Sequence, residues 1–348
     1  MSSLVCGLDV HKDSVFATVM SYGGEVIERR KLSNDEVVSF LGRYPVDKVA
    51  MESSTSIVPV YRVLRGKGYN VLVCHPKKTR LIAESRIKTD RVDSWAVAEL
   101  ARLDALPLSY VPPDDIAALR EKVRRRAFLV RMRSKLKVKI RIQLTINGIT
   151  PPVEYGLFTI KGLEWLHGLQ LDPVESYLPV ISSLDTQIGK LSKELRMMAP
   201  LDEDVQLLMT VPGIGYYAAL LTKSEIGSID RFQDGEKLCS YAGLVPSVSS
   251  SGGHTRYGSI TKEGSRWLRW IMVECVQVHL KYDTGITRAY HAIAERKGTD
   301  IAKVAAARRL LMCCHSILLN REPYHDTFHD QAKMKSSVPT LRPYTRKL

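Results

Sequence analysis

LVCGLDVHKDSVFATVMSYGGEVIERRKL, residues 4–32, contains three extended runs separated by turn residues, and its reading decides the fold. Leu4 to Asp9 is apolar up to its final acid, Val15 to Met20 alternates in part, and Glu25 to Leu32 follows the pair Gly23-Gly24. Short β-prone runs joined by tight turns predict a three-stranded antiparallel meander. Beyond it the pattern changes. Val37 to Leu41 reads as a helix, Lys48 to Met51 as a short buried strand, Val58 to Leu64 as a helix ended near Gly66 and Gly68, and Tyr69 to Cys74 as another strand. Three strands followed by alternating helix and strand is a ribonuclease-H-like order, an α/β class with acids expected on the first strand, the fourth strand and a later helix.

Asp9, Glu52, Asp90 and Asp93 occupy those places. Asp90 and Asp93 open the helical stretch TDRVDSWAVAELA, and at i, i+3 spacing both leave one helix face about a turn apart. Clustered carboxylates repel one another unless a cation lies between them, so the set predicts hard divalent ions, Mg²⁺ with retained waters. Paired metals suit phosphodiester chemistry. Taken by themselves, Asp90 and Asp93 read equally well as first-turn acids that stabilise the helix dipole.

The 348-residue chain is 45% apolar, enough for two or three globular domains, and carries a formal charge of +14. The excess is concentrated. Arg120, Lys122, Arg124, Arg125, Arg126, Arg131, Arg133, Lys135, Lys137, Lys139 and Arg141 stand against one acid, Glu121, and predict a polyanion-binding helix. A solvated helix face, or a surface touching anionic lipid, is the alternative. Six cysteines without a CxxC pair or partner histidines at zinc spacing argue against a zinc site or a disulfide framework, and no apolar run is long enough to cross a membrane. A cytoplasmic, nucleoid-associated protein is expected.

Pro112-Pro113 closes the first globular stretch, and Asp114 or Asp115 can cap the basic helix, which runs to about Leu144. Val174, Tyr177, Ile181, Leu184, Ile188, Leu191, Leu195 and Met198 then recur at heptad spacing, predicting a coiled coil or an amphipathic helix packed within one subunit. The expected domains are 1–145, catalytic with the basic helix trailing; 146–200, helical coiled coil; 201–322, mainly helical; and 323–348, a basic tail. VPGIG, Val211 to Gly215, reads as a helix-hairpin-helix-like turn whose Gly213 and Gly215 let amides approach a phosphate, or as a purely structural turn. Between Pro246 and Gly258 the chain is rich in serine and glycine and is expected to be a loop. Arg256 lies within it, and Lys262, Arg266 and Arg269 follow as further candidate nucleic-acid contacts beside Trp267 and Trp270. A serine on such a loop is a reasonable nucleophile toward phosphate if a metal or base activates it, although the spacing alone favours a plain polar loop.

GLDVHK (7–12), AMESS (50–54), KTDRVDSWAVAELAR (88–102), VPGIG and AGLVPSVSSSGGHTRYGSITKEGSRWLR (242–269) together resemble the DEDD-type insertion-sequence transposases related to the Piv and MooV DNA invertases, also described as bridge-RNA-guided recombinases. The resemblance implies a RuvC-like nuclease domain, a coiled-coil insertion and a C-terminal transposase domain. It implies that Asp9, Glu52, Asp90 and Asp93 bind Mg²⁺ and that Ser251, just before Gly252, is the nucleophile, with Ser250 the alternative. It further implies double-stranded target and donor DNA, a structured guide RNA, and a dimer or tetramer that cuts and rejoins DNA through a phosphoserine. A site-specific invertase without a guide, or a RuvC-like hydrolase, remains the alternative activity.

Overall fold

The computed structural model describes residues 3–83, 90–251 and 254–326. The chain divides into two compact units between Pro112 and Pro113. This differs from the boundary near residue 145 expected from sequence, because the buried face of the basic helix packs with the second unit.

In the first unit, β1 (Leu4–Val10), β2 (Val15–Ser21) and β3 (Val26–Leu32) form the expected meander; α1 (Val37–Leu41), β4 (Val46–Glu52), α2 (Ile57–Gly66), β5 (Val71–Cys74), α3 (Pro76–Ala83) and α4 (Asp90–Arg102) follow. The strand order is β3-β2-β1-β4-β5, with β1 antiparallel to β2 and parallel to β4, and β4 parallel to β5. This is the ribonuclease-H-like arrangement. One sheet face, with Cys6, Leu8, Val49 and Met51, packs in a core with Phe40, Val60 and Leu64. The other is covered by α4. Val97 and Ala101 pack with Ala50 and Cys74, and Ala98 with Val5 and Met20.

The second unit is mainly helical. It comprises α5 (Asp114–Ile146), α6 (Ile160–Gly168), α7 (Asp172–Met198), α8 (Glu203–Met209), α9 (Tyr216–Ile226), α10 (Gly235–Tyr241), the hairpin β6 (Pro246–Ser251) and β7 (His254–Ile260), α11 (Arg266–His279), α12 (Gly285–Lys297) and α13 (Thr299–Asn320). Lys122 pairs with Glu194, Arg126 donates to Ser192, and Arg133 pairs with Asp185, so α5 and α7 run antiparallel. The heptad positions Val174, Ile181, Ile188, Leu191 and Leu195 are buried. Ile140 and Leu144 of α5 and Leu166 of α6 cover the first two, and Leu119 and Val123 share the main core with Leu195. The stripe that suggested a coiled coil is thus covered within the chain. Most of the tail expected at 323–348 lies outside the described residues.

Candidate functional site

Asp9 and Glu52 end neighbouring parallel strands. The β1–β4 register pairs Leu8 with Met51, so the next residue on each strand is one of these acids. Side chains alternate along a strand, placing Asp9 with Val5 and Gly7, and Glu52 with Ala50, on the face covered by α4. Both acids are half-buried. The Asp9 carboxylate lies 3.3 Å from Nε2 of His11. Glu52 is opposite Cys74 on β5; burial, with a smaller contribution from the Glu52 charge, pushes that thiol up to about 11.

Helix α4 brings the other two acids to the same end. Ala98 packs with Val5, and Ser94 lies over Gly7, so moving toward the start of the helix means moving along β1 toward Asp9. Asp93, half-buried, stands one turn before Val97, on the side of the helix that packs over β4 and β5. Asp90 is the first helical residue; its side chain lies outside the described part. Among the described residues, no three His, Cys, Asp or Glu side chains group as a metal centre. Two contacts fix the helix in this register. The hydroxyls of Thr18 and Ser94 share a hydrogen bond of 2.8 Å with both residues fully buried, and a methyl group on Gly7 would collide with the Ser94 carbonyl oxygen and the Ala98 amide. Glycine is therefore required at position 7 by close approach of helix to strand.

The serine segment is a β-hairpin, which corrects the loop expectation. Val248 pairs with Tyr257 and Ser251 with His254, so Ser251 ends β6 at the tip. A Gly-Gly pair is the turn signal of a two-residue hairpin and is present in PSVSSSGGHTRYGSI, although the serines before it carry no clear strand pattern. The side chain of Ser251 lies outside the described part.

Several of the cations expected to hold nucleic acid also make contacts that hold the second unit together. Glu225 on α9 is fully buried and accepts bonds of 2.8 and 2.9 Å from Arg124 and one of 2.8 Å from Ser265, the N-cap of α11. Arg120 donates to the Ser224 carbonyl at 2.6 and 2.9 Å, satisfying the end of α9. Arg126 lies 4.3 Å over the Tyr217 ring, Lys137 lies 4.7 Å over Phe158, and Arg269 donates to the Ala242 carbonyl at 2.7 Å. Burial holds the Lys137 ammonium and the Arg269 guanidinium below their usual values. Arg125, Arg131, Lys135, Lys139, Arg141, Arg256, Lys262 and Arg266 remain exposed. Arg131 also lies over Trp267 and Trp270, a pair in edge contact 6.0 Å apart.

The VPGIG turn joins α8 to α9. At Gly213, φ is +91°, and an added Cβ would meet the backbone of His279 on α11, so this glycine serves packing. Gly215 is the N-cap of α9, with open space beside it. His279, missed in the sequence, donates Nδ1–H to the Pro212 carbonyl (2.7 Å) and accepts at Nε2 from the hydroxyl of Thr284, the N-cap of α12 (2.7 Å). Burial lowers its pKa below the ordinary 6.5.

Two family models match the chain. One describes a DEDD transposase of the IS110 type (residues 6–148); the other describes the IS116/IS110/IS902 transposase family (residues 205–292). The chain belongs to the DEDD-type insertion-sequence transposases. The first model spans all four acids and the second spans Ser251, so the chain's candidate groups fall within the matched segments. The transposase for insertion sequence element IS1111A of Coxiella burnetii is 28% identical over 92% of this transposase and 91% of its own length. That for IS1328 of Yersinia enterocolitica is 27% identical over 87% and 93%. Thermus thermophilus RuvC, solved in complex with a Holliday junction substrate, aligns with 31% of this transposase and 99% of its own chain, at 12% identity and a TM-score of 0.26. The ribonuclease-H-like assignment stands on the strand order of the transposase itself. No helix among its described residues is long and apolar enough to cross a membrane.

Proposed function

We propose that this transposase cuts and rejoins the DNA of a mobile insertion sequence through a serine–phosphate intermediate, at a composite site supplied with carboxylates by the first unit and with Ser251 by the second. The observation that carries the reading is the meeting of Asp9 and Glu52 at adjacent strand ends with the acid-bearing start of α4 packed over the same face. A donor set made only of carboxylate oxygens fits a hard divalent ion better than any soft metal, and Mg²⁺ is the natural choice. Asp9, Glu52, Asp90 and Asp93 would hold it, and when bound it offsets the charge that builds on the scissile phosphate.

Attack by Ser251 Oγ forms an O–P bond as the bond from phosphorus to the 3′ oxygen breaks. The hydroxyl proton leaves to solvent and the 3′ oxygen takes one up. The number of phosphoester bonds is unchanged, so a 3′ hydroxyl can reverse the step on another strand without ATP. Two copies offering serine and carboxylates to one another would complete the site, in keeping with a dimer or tetramer. The exposed cations of α5 would hold backbone phosphates, and family resemblance supports a structured guide RNA that reads target and donor by base pairing.

Ser251→Ala should abolish covalent protein–DNA adducts while nucleic-acid binding persists; adducts at wild-type level in that variant would remove Ser251 from the mechanism. Sequencing RNA that copurifies with the protein tests the guide. One discrete transcript from DNA flanking the gene is expected, and random fragments alone would favour an unguided invertase.

A further inference from the structure

A groove of about 960 Å³ runs between the serine hairpin and helices α12 and α13. Its volume is near the top of the roughly 300–1,000 Å³ range of ligand clefts, so it has room for more than one nucleotide. Tyr257 of β7 forms one wall, and Ile293, Ile301 and Val304 line the other. Tyr257 is 72% exposed and Ile301 55%, and Val248, the cross-strand partner of Tyr257, is 58% exposed. Large apolar side chains left open together mark a binding surface rather than scattered surface residues. Lys297, Arg308 and Arg309 also line the groove, against the single acid Asp300. Arg308 is paired with Glu236, while Lys297 and Arg309 are exposed.

We infer that this groove binds an unpaired DNA strand next to the cleavage point. Duplex DNA presents phosphates outward and keeps its bases stacked inside, leaving an apolar wall without a partner. An unpaired strand presents both features at once, flat apolar bases for Tyr257 and Ile301 and phosphates for Lys297 and Arg309. A second copy of the chain is the weaker occupant, because a protein of charge +14 would bring cations against cations. Position points the same way. Tyr257 and Val248 are three residues from Ser251 and His254 along the hairpin, about 10 Å at the rise of a strand. The groove would then receive the strand that opens beside the phosphate presented to Ser251. The inference rests on the nucleic-acid part of the proposed function, and on neither the serine chemistry nor the metal.

The test uses the full-length protein, a fluorescent twelve-residue oligo(dT) and a duplex of equal length, with binding read by anisotropy. Ile301→Glu and Tyr257→Ala should each weaken oligo(dT) binding at least tenfold and change duplex binding less than twofold, while Tyr257→Phe keeps wild-type affinity. Both altered positions are exposed, and an unchanged melting temperature verifies that the variants fold. Equal losses for strand and duplex, or unchanged oligo(dT) affinity, would overturn the inference. So would a change of oligomeric mass in Ile301→Glu with oligo(dT) binding intact, which would assign the groove to a second copy. Ser251→Ala and Glu52→Gln should bind oligo(dT) like the wild type, so a failure of the cleavage mechanism is distinguishable from a failure of the groove.

Discussion

The acids and the serine stand in opposite surroundings. Asp9 and Glu52 extend from strands whose preceding residues, Leu8 and Met51, are fully buried, and α4 is locked above them by Gly7 and by the Thr18–Ser94 pair. Ser251 ends a two-stranded hairpin whose cross-strand pair Val248 and Tyr257 is mostly open to solvent. A metal site requires donors held within a fraction of an ångström, which only a packed frame provides. A two-stranded ribbon by itself is marginal in water and gains order from what it touches. Rigidity therefore belongs to the carboxylates and adaptability to the group that would meet DNA.

The largest effects are expected on the rigid side. Asp9→Asn or Glu52→Gln should lower Mg²⁺-dependent strand cleavage by about 10³-fold or more, measured on labelled DNA, with binding retained. Normal cleavage by either would refute the metal assignment. Gly7→Ala forces α4 away from β1, and a cost of about 3 kcal/mol is expected in denaturant unfolding of the first unit. Cleavage should fall with it. If Gly7→Ala melted and cleaved like the wild type, the register lock would have no role.

A smaller contrast lies within α5. Arg124 and Arg126 are engaged inside the unit, whereas Arg125, Lys135 and Lys139 are exposed on it. Arg124→Ala should destabilise the second unit by about 2 kcal/mol, because it strips the buried Glu225 of its bidentate partner. Lys135→Ala and Lys139→Ala should leave stability alone and each reduce the slope of log affinity against log salt by about 1. Equal salt slopes in all three variants would erase the distinction between structural and binding cations.

The smallest effect concerns His279. Its folded-state pKa lies below the ordinary 6.5, so the folded protein resists a proton that the unfolded chain accepts. The stability this group contributes is then fully present above about 6.5 and is lost as pH falls toward and through the lower folded value, the burial shift being partly opposed by the hydrogen bond to the Pro212 carbonyl and, less, by Asp326. Melting temperatures between pH 7 and 5 should fall in the wild type and fall less in His279→Asn. Parallel curves would contradict this.

What was legible in the sequence was local. The meander followed from turn residues at Gly23-Gly24, α4 from the period of its apolar residues, and the acid positions from the order of strands. Long-range pairing left no mark in spacing. Glu225 lies 101 residues from Arg124, so a helix that reads as a basic face has several of its arginines turned into the fold. The glycine of VPGIG was legible as a special backbone position, but not that α11 packs on it. In the serine segment the Gly-Gly pair was visible and the strands on either side were not, because serine has little β preference of its own.

Tandem mass spectrometry of a quenched reaction addresses the central claim most directly. With Mg²⁺, a nucleotide should be found on the peptide containing Ser251, and it should be missing when the ion is chelated or when Glu52 is replaced by glutamine. A nucleotide on another residue, an adduct formed equally well by Glu52→Gln, or free 5′ phosphates without any adduct would contradict the account.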